Sequence, residues 1–220
     1  MHRRLLLASV AVAAALPLLS ACQSTYYAAM EKVGYAKRDI LASRVKSARD
    51  AQQDAKQEIV SALEQFSRTV NFQGGELEAQ YKRLDGKLND SEEAAAKVKS
   101  RIADVQDVAD ALFREWRQEL AQYSSADLRR RSEQQLGATQ ARYSQMLGAM
   151  KQAESRMEPA LRPLRDQVLF LKHNLNARAV GALKGEVAKV DAEVDRMVAD
   201  INRAVAEADR FVKTLDEAPQ

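Results

Sequence analysis

Cysteine is almost absent from this sequence, and the single one, Cys22, lies close to the amino terminus. An internal disulfide is therefore excluded, and so is a cysteine-rich metal site. Histidine is nearly as scarce: only His2 and His173 occur, too few for zinc or His-based nucleophilic chemistry. There is no glycine loop of the kind that cradles phosphates. Acid pairs such as Glu92-Glu93 belong to solvated helix faces in a chain that is 30% charged. The sequence thus offers no catalytic residue, metal set or cofactor site, and the expectation is a protein that is not an enzyme.

Glycine and proline are also few, 8 and 4 in 220 residues, and aromatics make up only 5%. A sheet protein would need more β-branched, aromatic and turn-forming residues. Neither sign of charge dominates, with 34 basic residues facing 31 acidic ones. Removing Arg3 and Arg4 with an export signal brings the two nearly level. Such a balance gives no case for nucleic-acid binding.

What is present first is an export signal. Met1-His2-Arg3-Arg4 is basic, and Leu5 to Leu16 is an apolar stretch of 12 residues, shorter than the roughly 20 that span a bilayer as a helix. Pro17 and the small residues Ser20-Ala21 follow, which completes a signal over residues 1–21. Leu19-Ser20-Ala21-Cys22 resembles the bacterial lipobox. That resemblance implies lipid on the Cys22 thiol, cleavage before Cys22, and acylation (palmitate) of the new amino terminus. Gln23 stands where an aspartate would signal inner-membrane retention, so the expected destination is the outer membrane, facing the periplasm. Residues 22–25 form a very short tether, and Tyr26 and Tyr27 either sit at the headgroups or pack onto the body.

The body, residues 26–216, reads as helix throughout. Leu41, Val45, Ala48, Ala55, Ile59, Ala62 and Phe66 form one stripe at steps of three and four, interrupted only by Gln52. Asn71-Phe72-Gln73-Gly74-Gly75 closes this first helix, about 26–70. From Leu77 through Leu88, Val98, Val105 and Leu112 to Trp116 a second stripe keeps one heptad phase, broken only at Ser91, so 76–123 is expected as one helix despite Gly86. The third, about 127–174 with Ser125 or Asp127 as N-cap, contains Pro159 and Pro163, which should kink it near 159–163 or split it. Asn174-Leu175-Asn176 is a turn, and Val187 to Leu215 lies on the cleanest stripe of all, in a last helix about 177–215.

Four long helices with short turns predict an all-α, elongated, antiparallel, coiled-coil-like four-helix bundle. A three-helix core, or a dimer completing the seam, stays open. Lipid at the start of the first helix would put the 123–127 turn near the membrane and the 71–75 and 174–176 turns together at the far tip. The run Arg129-Arg130-Arg131 is then a candidate headgroup contact, because arginines at a helix start oppose its dipole. Phe72, Gln73, Phe170, Lys172, His173, Asn174, Asn176 and Arg178 would share the tip. The segment Val168-Leu169-Phe170-Leu171 is apolar nearly all round, which points either to a partner contact or to a widened local core.

Tyr26-Tyr27-Ala28-Ala29-Met30-Glu31-Lys32-Val33-Gly34 and the stretch from Asp166 to Arg178 resemble a proteobacterial lipoprotein family known as domain of unknown function number 2959. The likeness covers nearly the whole chain. It implies an envelope lipoprotein and no catalytic or binding residue, since that family has no established activity. The expected role is a membrane-anchored structural or scaffolding lipoprotein that contacts another envelope protein or a second copy of itself. A peripheral lipid- or hydrophobe-binding helical protein is the alternative, and an enzyme is a remote one.

Overall fold

The seam of the first helix is rich in alanine, with Ala48, Ala51, Ala55 and Ala62 all buried between Leu41, Val45, Ile59 and Phe66. Small side chains at these positions let neighbouring helices approach closely along a narrow core. In the computed structural model, which describes residues 37–216, this helix is α1, Lys37–Val70. It is followed by α2, Leu77–Leu120, then α3, Ala126–His173, the short α4, Ala177–Ala182, and α5, Val187–Asp216. No strand occurs among the described residues. The expected signal 1–21, Cys22, Tyr26 and Tyr27, and the expected first turns of the first helix lie outside them.

Consecutive long helices run antiparallel, as the side-chain ties between them record. Lys37 meets Glu115 at 2.9 Å and Gln65 meets Gln80 at 3.1 Å between α1 and α2. Trp116 Nε1 donates to Ser132 Oγ at 2.8 Å across α2 and α3, and Gln145 donates to Glu207 at 3.2 Å across α3 and α5. Arg49–Asp209 at 2.6 Å and Lys56–Asn202 at 3.0 Å close the ring between α5 and α1. The result is an all-α antiparallel four-helix bundle whose sides are α1/α2, α2/α3, α3/α5 and α5/α1, with α1 and α3 touching across the diagonal. At about 1.5 Å per residue, the 48 residues of α3 make a rod of about 70 Å.

The polar interruptions in the stripes are buried and used. Ser91 donates from Oγ to the Lys87 carbonyl at 2.7 Å, its own preceding turn. Gln52 donates from Nε2 to the Met150 carbonyl at 3.0 Å across the bundle diagonal. Its Oε1 has no hydrogen-bond partner among the described residues. Gly86 lies within an unbroken α2, and α3 runs continuously through Pro159 and Pro163.

One local expectation needs correction. The last helix is not continuous from 177: a 3-10 turn at Leu183–Gly185 separates α4 from α5. Val180 and Leu183 still point into the core, so the apolar stripe passes through the break unchanged. Gly181 and Gly185 flank the turn, and glycine costs about 1 kcal/mol relative to alanine in a helix. Of the two candidate caps for α3, Ser125 takes the role, its Oγ accepting from the Leu128 amide at 3.3 Å.

Near the end where α1 begins, Tyr143 of α3 stacks edge-on against Phe113 of α2 with ring centres 5.4 Å apart, and lies 6.1 Å from Phe211 of α5. Burial pushes its hydroxyl pKa up to about 12, with Asp110 and Asp107 adding to the effect. The folded state therefore favours the neutral phenol, a contribution complete below about pH 10 and lost as pH rises through about 12. Between pH 9 and 11.5 this one group should remove about 2 kcal/mol of stability. Urea unfolding of Tyr143→Phe should show that much less alkaline loss than the unaltered protein; identical losses would contradict it.

Candidate functional site

The α1–α2 turn and the segment after α3 meet at one end of the rod. Val70, Phe72, Leu77, Val180 and Lys184 line a hollow of about 380 Å³ between them. Phe72 is half-buried, and its ring closes over the turn so tightly that a Cβ on Gly74 would lie 2.7 Å from Phe72 Cζ. A side chain at position 74 would therefore have to push the Phe72 ring aside. Gln73 is exposed beside it.

The segment 168–171 divides cleanly. Val168 and Leu171 enter the core, whereas Leu169 is 58% exposed and Phe170 41%. Leu175, which the periodicity did not single out, is exposed in the turn beyond. Lys172, His173 and Arg178 are exposed as well. The two asparagines have local work. Asn174 donates from Nδ2 to the Phe170 carbonyl at 3.0 Å, ending α3, and Asn176 Oδ1 accepts from the Ala179 amide at 3.0 Å, starting α4. Their side chains hold the turn that presents Leu175, which leaves the apolar and cationic residues as the outward-facing set.

The opposite end is the α2–α3 turn, with exposed Tyr123 and Leu128. Here Arg129, Arg130 and Arg131 are all exposed, but none stands alone. Arg129 pairs with Glu133 at 3.0 Å, while Asp127 takes Arg130 at 2.6 Å and Arg131 at 3.0 Å. Asp127 in the first turn also suits the helix dipole. The opposition between dipole and arginines is thereby answered within the helix, without an outside anion.

Between the ends, the flanks are laced with charge. The α2/α3 side carries a groove of about 460 Å³ floored by Ala95, Met157 and Leu161. Arg165 bridges it, reaching Glu92 at 2.6 Å and Glu158 at 3.1 Å. Those hydrogen bonds hold the Glu158 carboxyl below its ordinary pKa range and raise that of Arg165, first through Glu158 and then through Glu92. Among the described residues no group of three or more His, Cys, Asp or Glu is placed to hold a metal ion. No helix among them is long and apolar enough to cross a membrane.

No curated protein and no solved structure matches the chain. A family model does, over residues 26–215, a span that takes in the whole described bundle and both of its ends. The chain belongs to the family described as Protein of unknown function (DUF2959).

Proposed function

We propose that the protein is a lipid-anchored structural spacer of the cell envelope, fixed to a membrane at its base and holding another envelope protein at its tip. The observation that carries this reading is the distribution of exposed large hydrophobic residues. Among the described residues there are five, and all lie at the two ends: Tyr123 and Leu128 at one, Leu169, Phe170 and Leu175 at the other. A rod with solvated flanks and apolar ends is built to bridge. A protein that wraps lipids would instead need an apolar face running along its helices.

The base is assigned from the sequence. Cys22 lies only 15 residues before Lys37, and α1 starts at the end that carries Tyr123 and Leu128. The outer membrane is the expected site, on the residue that follows Cys22.

A photo-crosslinking residue placed at Leu169 in living cells tests the tip, with the exposed flank position Lys151 as reference. A discrete protein adduct from 169 and none from 151 is the expected result. Absence of an adduct from 169 with the bundle folded, or equal adducts from both, would sink the reading.

A further inference from the structure

The tip is not only apolar; its charge is unevenly paired, with an excess of cations. From Gln167 to Gly185 the chain contains no aspartate or glutamate, but it does contain Lys172, Arg178 and Lys184. All three are exposed, and none forms an ion pair or hydrogen bond with a described residue. This contrasts with the arginine run at the base, where every cation has an acid three or four residues away. Across the tip, Glu78 is already engaged by Lys82 at 2.8 Å, and Glu186 by Lys189 at 2.9 Å. Glu76 and, one turn before Phe170, Asp166 are the acids left without an ion pair near the three cations.

Within this cationic rim the hollow has walls of Val70, Phe72, Leu77 and Val180, with Lys184 at its edge. Its volume of about 380 Å³ is within the range of pockets that bury a large side chain or a small ligand. Gly181 lines it too, and a Cβ added there would meet nothing within 4 Å. A larger side chain therefore has room at this position. Leu169, Phe170 and Leu175, which do not line the hollow, add exposed apolar surface at the same end of the rod.

We propose that this hollow receives a large apolar side chain of another envelope protein, and that acidic residues flank that side chain. The proposal rests on the tip-contact reading above and adds the chemistry of the contact. An apolar anchor in a pocket supplies the affinity, and charge complementarity around it selects the partner and the orientation. A second copy docking tip to tip would bring two cationic rims together, which disfavours self-association through this end.

The test uses the full chain in its membrane, with the photo-crosslinker at Leu169 as before, in three backgrounds. One is otherwise unaltered. The second carries Gly181→Leu, which fills the hollow on a helix where leucine is also the better helix former. The third carries Lys172→Glu, Arg178→Glu and Lys184→Glu together. Circular dichroism on the purified variants checks that each remains helical.

The expected result is a protein adduct in the first background, reduced about tenfold in each of the others, with acidic residues around the crosslinked position of the partner. An adduct that survives both variants at full yield overturns this inference and leaves the tip-contact reading standing. An adduct with lipid, or with a second copy of the chain, overturns it as well. No adduct in the unaltered background removes both.

Discussion

Phe66→Ala is expected to cost about 3–5 kcal/mol of folding stability, the usual range for truncating a fully buried aromatic. Phe66 has no exposed surface, and it is the largest of the fully buried side chains. The helix that carries it makes the effect severe. Alanine supplies five of the fourteen buried residues of α1, so its few large side chains fill much of the space between helices, and the neighbours cannot close over a lost ring without moving backbone. Against a typical total of 5–15 kcal/mol, such a loss is a large share. Equilibrium urea unfolding is the measurement, and for a domain of this size the melting temperature should fall by about 10 °C.

Phe170→Ala is the internal comparison. It is the same substitution near the same end of the rod, on a residue that α3 turns outward. Its cost should remain within about 0.5 kcal/mol, the usual limit for a surface change. Equal losses at 66 and 170 would mean that the exposed patch is part of the core, and that the tip has no spare apolar surface to offer.

That comparison also marks how much could be read from the sequence. The stripe through Leu41, Val45, Ile59 and Phe66 identifies a core face because helix geometry repeats every three to four residues. The same rule applied to Val168-Leu169-Phe170-Leu171 sees only an apolar run. Deciding which two face outward needs the helix phase relative to α2 and α5. The break at Leu183–Gly185 was illegible for a related reason: Val180 and Leu183 stay in the stripe, so periodicity has nothing to register while the backbone changes. Gly181 and Gly185 were the available signal, since glycine weakens a helix. The arginine run was legible as charge but not as pairing. Its acids, Asp127 and Glu133, lie one turn away, where side chains meet on a helix. The tip itself was readable from topology alone, because antiparallel helices joined by short turns must bring the first and third turns to one end.

The second large effect concerns the anchor. Exporting residues 23–220 behind an ordinary cleavable signal peptide, without Cys22, is expected to move the protein from the membrane fraction to the soluble one almost completely. Acyl chains supply about 0.8 kcal/mol per buried CH₂, and two or more chains hold stably where one holds marginally. The base of the bundle has little to put in their place. Tyr123 and Leu128 are two exposed side chains. Arg129, Arg130 and Arg131 are partly neutralised by Asp127 and Glu133, which leaves about one net charge and so about 1 kcal/mol of attraction to anionic headgroups. Fractionation after export therefore separates the two contributions. Neutralising the three arginines in the lipidated protein should leave it in the membrane, whereas removing Cys22 should release it. A lipid-free chain still found in the membrane fraction would move the anchor from the cysteine to the base of the bundle. Release should also weaken tip crosslinking from Leu169, even though no tip residue is altered. In the proposed arrangement a tether would hold the tip at a fixed distance from the surface where the partner resides, and a freely diffusing rod would lose that effective concentration. An unchanged adduct yield from the soluble form would mean that the partner is not membrane-bound, and that the rod's length of about 70 Å does not serve to span a fixed gap.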